Sequence, residues 1–372
     1  MQMKIVFNTM GLGKGGAERV INLLANSFAV KHEVTIITNI NSKVEYDFNN
    51  RISIISLSKN DNYIARKLRR FSIPILFRLK KILIDINPDI IISFLPEPSF
   101  RVLALKKHFK SIRNIPTIVS VRNDPNTEYN NKLYYYIMKK LYPYADQLIL
   151  QTNDSKSYFE KHINYNGVVI PNPVSDTFLS KKYSGTRDKR IVAVGRLEPQ
   201  KNYKNMIDGF ELVHNKHPEY KFEIYGDGVL KSDLQKYINS KEMNNNIVLM
   251  GKTDDVKKAI YNAKLFVMSS DYEGMPNSLL EAACLGVPCV STDCPCGGPR
   301  EILDEGKGGL LVETKNPIKL SEAIIKLIEN EDLADAISTY SNKKSILYKK
   351  ENIIKKWIYE ICQLVNGDED NV

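Results

Sequence analysis

No apolar run in this chain reaches the ~18 residues that a membrane-spanning helix needs. The N-terminus opens on "MKIVFNTM", a strand-like segment without the apolar core of a secretory leader. A cytoplasmic protein is expected. Cysteine is scarce as well: five residues, an odd number without regular spacing, argue against a disulfide framework and fit free thiols in a reducing compartment. Cys294 and Cys296 form the one close pair, and no second Cys or His pair flanks them at zinc-site spacing. The five histidines are scattered, so no metal site is expected. Internal repeats are absent, and low complexity is confined to the tail "NGDEDNV", expected to be disordered.

What the chain does contain is bulk and alternation. Its 372 residues, 43% of them hydrophobic, suffice for two buried cores. Short β-branched runs alternate with helical stretches from end to end, which predicts parallel sheets with crossover helices. In the first half the strand candidates are "KIVFNTM", "EVTIITN", "DIIISFL", "TIVSVR" and "QLILQT"; in the second they are "RIVAVG", "KFEIYG", "NIVLMG", "KLFVMSS" and "PCVSTD". Between them, residues 170–189 are rich in Pro, Ser, Gly and Lys and read as a linker, with the boundary near residue 186. Two doubly wound α/β domains facing each other across a deep cleft are expected, with ligands at the carboxyl ends of the strands.

Charge is unevenly spread. Residues 1–185 carry 27 Lys and Arg against 14 Asp and Glu, a balance of +13, whereas residues 186–372 carry 26 against 29, a balance of −3. The first half should therefore attract an anionic surface or a phosphorylated substrate.

Several loops carry chemistry. "GLGKGGAERV" (11–20) runs from a glycine-rich turn into a helix starting near Gly15 and Gly16, where backbone N–H groups and the helix dipole favour a phosphate. Its spacing is not G-x-G-x-x-G with a later acidic partner, which weakens a dinucleotide reading and leaves a simple tight turn open. "VGRLEPQKN" (194–202) puts Gly195, Arg196 and Lys201 at a strand's carboxyl end, where the two cations can share a diphosphate. "YGDGVL" (225–230) brings the backbone at Gly226 close to a ligand, with Asp227 shaping the turn. In "EGMPNSLLEAACLG" (273–286), Pro276 takes the first helical position and Gly286 the C-terminal cap. Glu273 then lies before the helix and Glu281 in its second turn. Carboxylates accept bonds from hydroxyls, so basic residues beside glutamates suit a diphosphate carrying sugar rings, that is, a nucleotide sugar.

The ordered set of "GGAERV", "GRLEPQKN", "YGDG", the E-x7-E pair Glu273/Glu281 and "DCPCGGPREIL" resembles the family 4 glycosyltransferases of the GT-B fold over most of the chain. "ISFLPE" and "SVRNDPN" are similar to the bacterial branch that builds capsule, exopolysaccharide, O-antigen or lipid-linked glycans. The resemblance implies three segments: an acceptor- and membrane-facing domain at 1–185, a nucleotide-sugar-binding domain at 186–345, and a C-terminal helix at 346–372 crossing back to the first. It implies a retaining hexosyl- or N-acetylhexosaminyltransferase needing no cofactor or metal. Its leaving diphosphate would be stabilised by Arg196, Lys201 and the backbone at Gly15/Gly16. Glu273 would hold donor-sugar hydroxyls and Glu281 the ribose, while backbone at Gly274, Met275, Pro276, Asn277 and Ser278 completes the diphosphate site. A histidine common in the family after the strand "TIVSVR" is missing here. Arg122 and Asn123 stand in its neighbourhood as acceptor-binding candidates, with an ion-pairing role for Arg122 equally open.

The segment 64–86 holds Arg66, Lys67, Arg69, Arg70, Arg78, Lys80 and Lys81 among apolar residues, a basic amphipathic pattern suited to an anionic bilayer surface, with Pro74 dividing it. A core-packed helix with a solvated basic face is the other reading. Lys106, Lys107, Lys110 and Arg113 point the same way. No nucleic-acid module is recognisable. The expected partners are a nucleotide sugar, a UDP-sugar foremost, a polyprenyl-diphosphate-linked glycan and the inner face of the plasma membrane. A non-catalytic sugar-nucleotide sensor or scaffold and a UDP-sugar epimerase remain the alternatives.

Overall fold

The computed structural model describes residues 2–13, 15–40, 43–58 and 73–366. The chain divides into two units, Met1–Pro173 together with Glu351–Val372, and Val174–Lys350.

The first unit is built on a seven-stranded sheet: β1 (Lys4–Thr9), β2 (Glu33–Thr38), β3 (Ser53–Ser56), β4 (Ile90–Phe94), β5 (Thr117–Ser120), β6 (Gln147–Leu150) and β7 (Val168–Val169). The spatial order is β3-β2-β1-β4-β5-β6-β7, with every pair parallel. β4 is buried along its whole length and β1 from Ile5 to Thr9, as their apolar runs require of central strands covered on both faces. The second unit has six strands: β8 (Asp188–Val194), β9 (Lys221–Tyr225), β10 (Ile247–Gly251), β11 (Ala263–Met268), β12 (Cys289–Thr292) and β13 (Leu310–Val312). Their order, β10-β9-β8-β11-β12-β13, is again wholly parallel. Parallel pairs need crossover connections, and helices supply them. Both units are doubly wound, Rossmann-like α/β domains.

The ten expected strands are present, and β3, β7 and β13 join them. The division between units falls at Pro173/Val174, earlier than the expected boundary near residue 186. Composition made 170–189 look like a linker, yet Val174 and Phe178 are buried in the apolar cluster of the second unit with Leu279 and Tyr348. The Val174 N–H also donates to the Tyr348 carbonyl at 2.9 Å.

From Glu351 onward the Lys350–Asn366 helix belongs to the first unit. Its Ile353, Trp357 and Ile361, spaced i, i+4, i+8, form one apolar stripe and are buried in the same cluster as Phe7, Phe28 and Phe94. The Trp357 ring stacks on Phe94 with centroids 6.2 Å apart. Gln147 Nε2 donates to Glu360 at 2.9 Å from the sheet side.

Candidate active site

In the second sheet the strand order reverses between β8 and β11, which places their carboxyl-end loops side by side at the point where such sheets hold ligands. These loops are stitched together. The Asp271 N–H donates to the Gln200 carbonyl (2.9 Å), Gln200 Nε2 to the Tyr272 carbonyl (2.8 Å), Asn202 Nδ2 to Asp271 Oδ1 (2.8 Å) and Ser269 Oγ to the Asn202 carbonyl (2.8 Å). Asn202 adopts the left-handed conformation (φ 45°, ψ 52°), tolerable for asparagine, and turns the chain from Pro199–Lys201 into the Tyr203–Lys216 helix.

That stitching sets Lys201 against Glu273. The Lys201 ammonium is ion-paired with Glu273 Oε1, and Ser270 Oγ donates to the same oxygen at 2.7 Å. The two side chains are only 14% and 9% exposed, so the pair is largely shielded from solvent. Tyr203 is buried beside them; burial, and then the Glu273 charge, push its phenol well above the usual range.

Glycines bring the backbones of these loops into contact. At Gly226 (φ +149°) a side chain would overlap the Gly195 carbonyl, and at Gly228 it would stand 2.5 Å from the Leu197 carbonyl. At Gly195 the Lys201 stem lies over the Cα, with Cε 3.5 Å from where a Cβ would be. At Gly298 a side chain would overlap the Gly274 carbonyl, so the turn after β12 rests directly on the backbone at Gly274 and Met275. The Asn277–Cys284 helix begins there, one residue later than expected: Pro276 is its N-cap and not its first helical residue, and no side chain caps it. Its first-turn amides at Asn277 and Ser278 therefore head the helix beside the Lys201–Glu273 pair's own loop. Gly286 (φ +66°) closes the helix, and Glu281 is buried in its second turn.

Arg196 is placed differently. Its guanidinium pairs with Glu198 at 2.8 Å and is 58% exposed, outside the bonded group of Lys201, Ser270 and Glu273. In the first unit, Gly15 is the N-cap of the Gly16–Phe28 helix, and the Glu18 carboxylate folds back over it. Tyr46 OH donates to the Gly15 carbonyl at 3.1 Å. Arg122 follows β5; its Nη1 donates to Asn172 Oδ1 at 2.9 Å, and its guanidinium lies 5.1 and 5.5 Å from the Phe94 and Trp357 ring centroids. No carboxylate pairs with it, so the ion-pair reading falls among the described residues. Asn123 is half-buried in the same loop. Beyond it Asp124 caps the short Pro125–Glu128 helix, accepting from the N–H groups of Asn126 and Thr127. Burial, with Glu97 and Asp124 nearby, raises the Glu128 carboxyl to about 8.

Two family models match the chain in succession: "Glycosyltransferase Family 4" over residues 14–178 and "Glycosyl transferases group 1" over residues 175–344. A glycosyltransferase of Methanocaldococcus jannaschii is 32% identical over 332 residues, 76% of this chain and 81% of the relative. The chain belongs to the family 4 glycosyltransferases. Over 98% of this glycosyltransferase and 100% of the relative, 26% identity links it to a Campylobacter jejuni α-1,4-N-acetyl-D-galactosaminyltransferase named for a GalNAc–GalNAc–diNAcBac–PP-undecaprenol substrate. The fold matches TarM (TM-score 0.78, 18% identity, 99% of each chain) and sucrose-phosphate synthase of Thermosynechococcus elongatus (TM-score 0.85, 15% identity, 99% of this chain and 100% of the other). The architecture is GT-B.

Of the basic residues expected at a membrane, Arg66, Lys67, Arg69 and Arg70 lie outside the described residues, as does the acidic tail 367–372. The glycosyltransferase forms a helix over Ile73–Ile86, with Pro74 in its first turn. Lys81 is exposed there, Lys80 lies over the Phe109 ring at 3.9 Å, and Arg78 Nη1 donates to the Leu57 carbonyl at 2.9 Å, which ties it to the sheet edge. Lys106 corrects the expectation of a second surface cluster: it is buried, ion-paired with Asp146 and donates to the Ile115 carbonyl at 3.0 Å. Sequence reasoning missed Gln200, Asn202, Ser269, Ser270 and Asp271. The polar residues of "PQKN" and "SSDYE" flanking the two motifs were the available signal.

Proposed function

We propose that this glycosyltransferase moves a hexosyl or N-acetylhexosaminyl group from a nucleoside diphosphate sugar, a UDP-sugar foremost, to a hydroxyl of a polyprenyl-diphosphate-linked oligosaccharide. The observation that carries the donor reading is the shielded Lys201–Glu273 pair beside the N-terminus of the Asn277–Cys284 helix. It unites a cation and helix amides for a diphosphate with a carboxylate for sugar hydroxyls. The acceptor reading draws on the two Campylobacter jejuni relatives, both named for undecaprenol-diphosphate-linked substrates and matched over 98% and 92% of this chain.

In this reading the acceptor oxygen bonds to the anomeric carbon as the bond from that carbon to the diphosphate breaks, on the same face, with retention. The acceptor proton passes to the departing phosphate oxygen. Lys201 and the helix amides stabilise the negative charge that grows there, in place of a divalent cation, with exposed Arg196 joining when the nucleotide is bound. Glu281 takes the ribose hydroxyls.

No helix among the described residues is long and apolar enough to cross a membrane. The Ile73–Ile86 helix exposes Ile73, Phe77 and Ile84 on one face beside Lys80 and Lys81, a surface suited to lie among anionic headgroups at the inner face of the plasma membrane.

A panel of labelled nucleotide sugars, with a polyprenyl-diphosphate disaccharide as acceptor and excess EDTA, tests this. One donor series should be consumed and yield a product of unchanged anomeric configuration, and Lys201→Ala should slow turnover about 10²–10³-fold. EDTA-sensitive turnover or an inverted product would defeat the mechanism. Binding to anionic vesicles that survives Phe77→Glu with Ile84→Glu would defeat the membrane face.

A further inference from the structure

Arg122 is a charge without a counter-charge. Its guanidinium is withdrawn from water, and neither Nε nor Nη2 has a hydrogen-bond partner among the described residues. Only Nη1 is bonded, to an Asn172 oxygen already shared with Gln151 Nε2 at 2.7 Å. Burial alone accounts for its lowered pKa, about 9, with no acid nearby to restore it. A buried cation lacking an anion is costly, and folded proteins rarely keep one without a reason.

The two vacant nitrogens are the informative ones. Nε–H and Nη2–H point in parallel from one edge of the guanidinium, the fork that meets two oxygens of a carboxylate or phosphate. The contacts of the guanidinium among the described residues are all neutral, from Asn172, Phe94 and Trp357. Phe94 and Trp357 supply ring faces, while Ser120 Oγ and Trp357 Nε1 are also buried without partners. Ser120 and Arg122 alternate with Ile118, which packs in the apolar cluster containing Phe94 and Trp357, so one strand face carries all three toward the Lys350–Asn366 helix. The location is the carboxyl edge of the first sheet: Arg122 follows β5, Gln151 follows β6 and Asn172 follows β7.

We infer that this edge is an oxyanion subsite for a phosphate-bearing ligand, with Arg122 as its fixed cation and Ser120 and Trp357 as neutral donors. The subsite stands on the first unit's own residues and does not depend on the donor reading of Lys201 and Glu273. Its ligand chemistry is shared by a lipid-linked acceptor and a nucleotide donor.

Arginine side-chain NMR on the intact, ¹⁵N-labelled protein tests it, with the Arg122 Nε–H signal assigned through its own backbone. Inorganic pyrophosphate should shift that signal and slow its exchange with water, and should raise the Tm of wild type but not of Arg122→Met. If farnesyl diphosphate moves the signal and UDP does not, the source is the acceptor; the reverse names the donor. An Arg122 signal unmoved by pyrophosphate, farnesyl diphosphate and UDP alike would overturn the subsite. So would Arg122→Met binding pyrophosphate as wild type does. If Arg122→Met fails to fold, the wild-type spectra still decide.

Discussion

Replacing Glu273 with alanine tests how the shielded pair and the nucleotide are coupled. Removing one member of a buried ion pair costs about 3–5 kcal/mol, because the other charge stays behind unpaired. Lys201 and Glu273 retain slight exposure, so the lower end applies, about 3 kcal/mol. At about 2–4 °C per kcal/mol for a domain the size of Val174–Lys350, Glu273→Ala should melt about 6–12 °C below wild type. UDP lacks the donor sugar and isolates the second half of the effect. If the nucleotide binds as proposed, its diphosphate shares Lys201 with Glu273 in wild type, whereas in the variant it meets an unpaired ammonium. If most of the 3 kcal/mol returns on binding, UDP should bind Glu273→Ala up to roughly 100-fold more tightly. Sugar transfer should nonetheless fall sharply if Glu273 holds the donor sugar as proposed. Thermal shift and calorimetric titration with UDP measure both quantities. An unchanged Tm with unchanged or weaker UDP binding would refute the idea that diphosphate and carboxylate compete for one cation.

Gly226→Ala combines a positive φ with overlap on the Gly195 carbonyl. It should cost about 2–5 kcal/mol in denaturant unfolding and weaken UDP binding; a near-neutral effect would mean that the two loops can part freely. Ile353→Ala, at a fully buried position on the last helix, should cost about 2–5 kcal/mol, read from the emission of Trp357, the sole tryptophan. Glu128 keeps its proton in the folded chain up to about pH 8 but loses it near 4.5 when unfolded, so its contribution falls as pH rises between those values. The slope is at most about 1.4 kcal/mol per pH unit, and Glu128→Gln should flatten it in urea titrations run at pH 5 and pH 8.

Much of the architecture could be read from pattern. Central strands such as β1, β4 and β11 are buried on both faces, so their apolar runs are unbroken and stand out. β3, β7 and β13 lie at sheet edges, are only two to four residues long and are partly exposed, which leaves no run to detect. The glutamate pair and the glycines were legible because helix geometry and close backbone approach constrain their spacing. Charge partners were not. Lys201 and Lys106 are both lysines near other lysines or polar residues in sequence, yet each finds a carboxylate forty or more positions away. Arg122 shows the converse: nothing in "SVRND" announces a cation left alone, because isolation depends on every element packed around it. Val174 and Phe178 escaped for a related reason, since composition cannot tell a linker from a segment that buries two side chains.

The return of the last helix has a consequence for the order in which the protein is made. Phe94 is synthesised early, but the indole that stacks on it lies 263 residues later and leaves the ribosome after the entire second unit. Val174–Lys350 can close its own core as soon as it emerges. The first unit, although begun first, finishes last, and until Ile353, Trp357 and Ile361 arrive its sheet has an uncovered apolar face. A chain stopped at Lys350 would therefore hold a finished second unit and an unfinished first one.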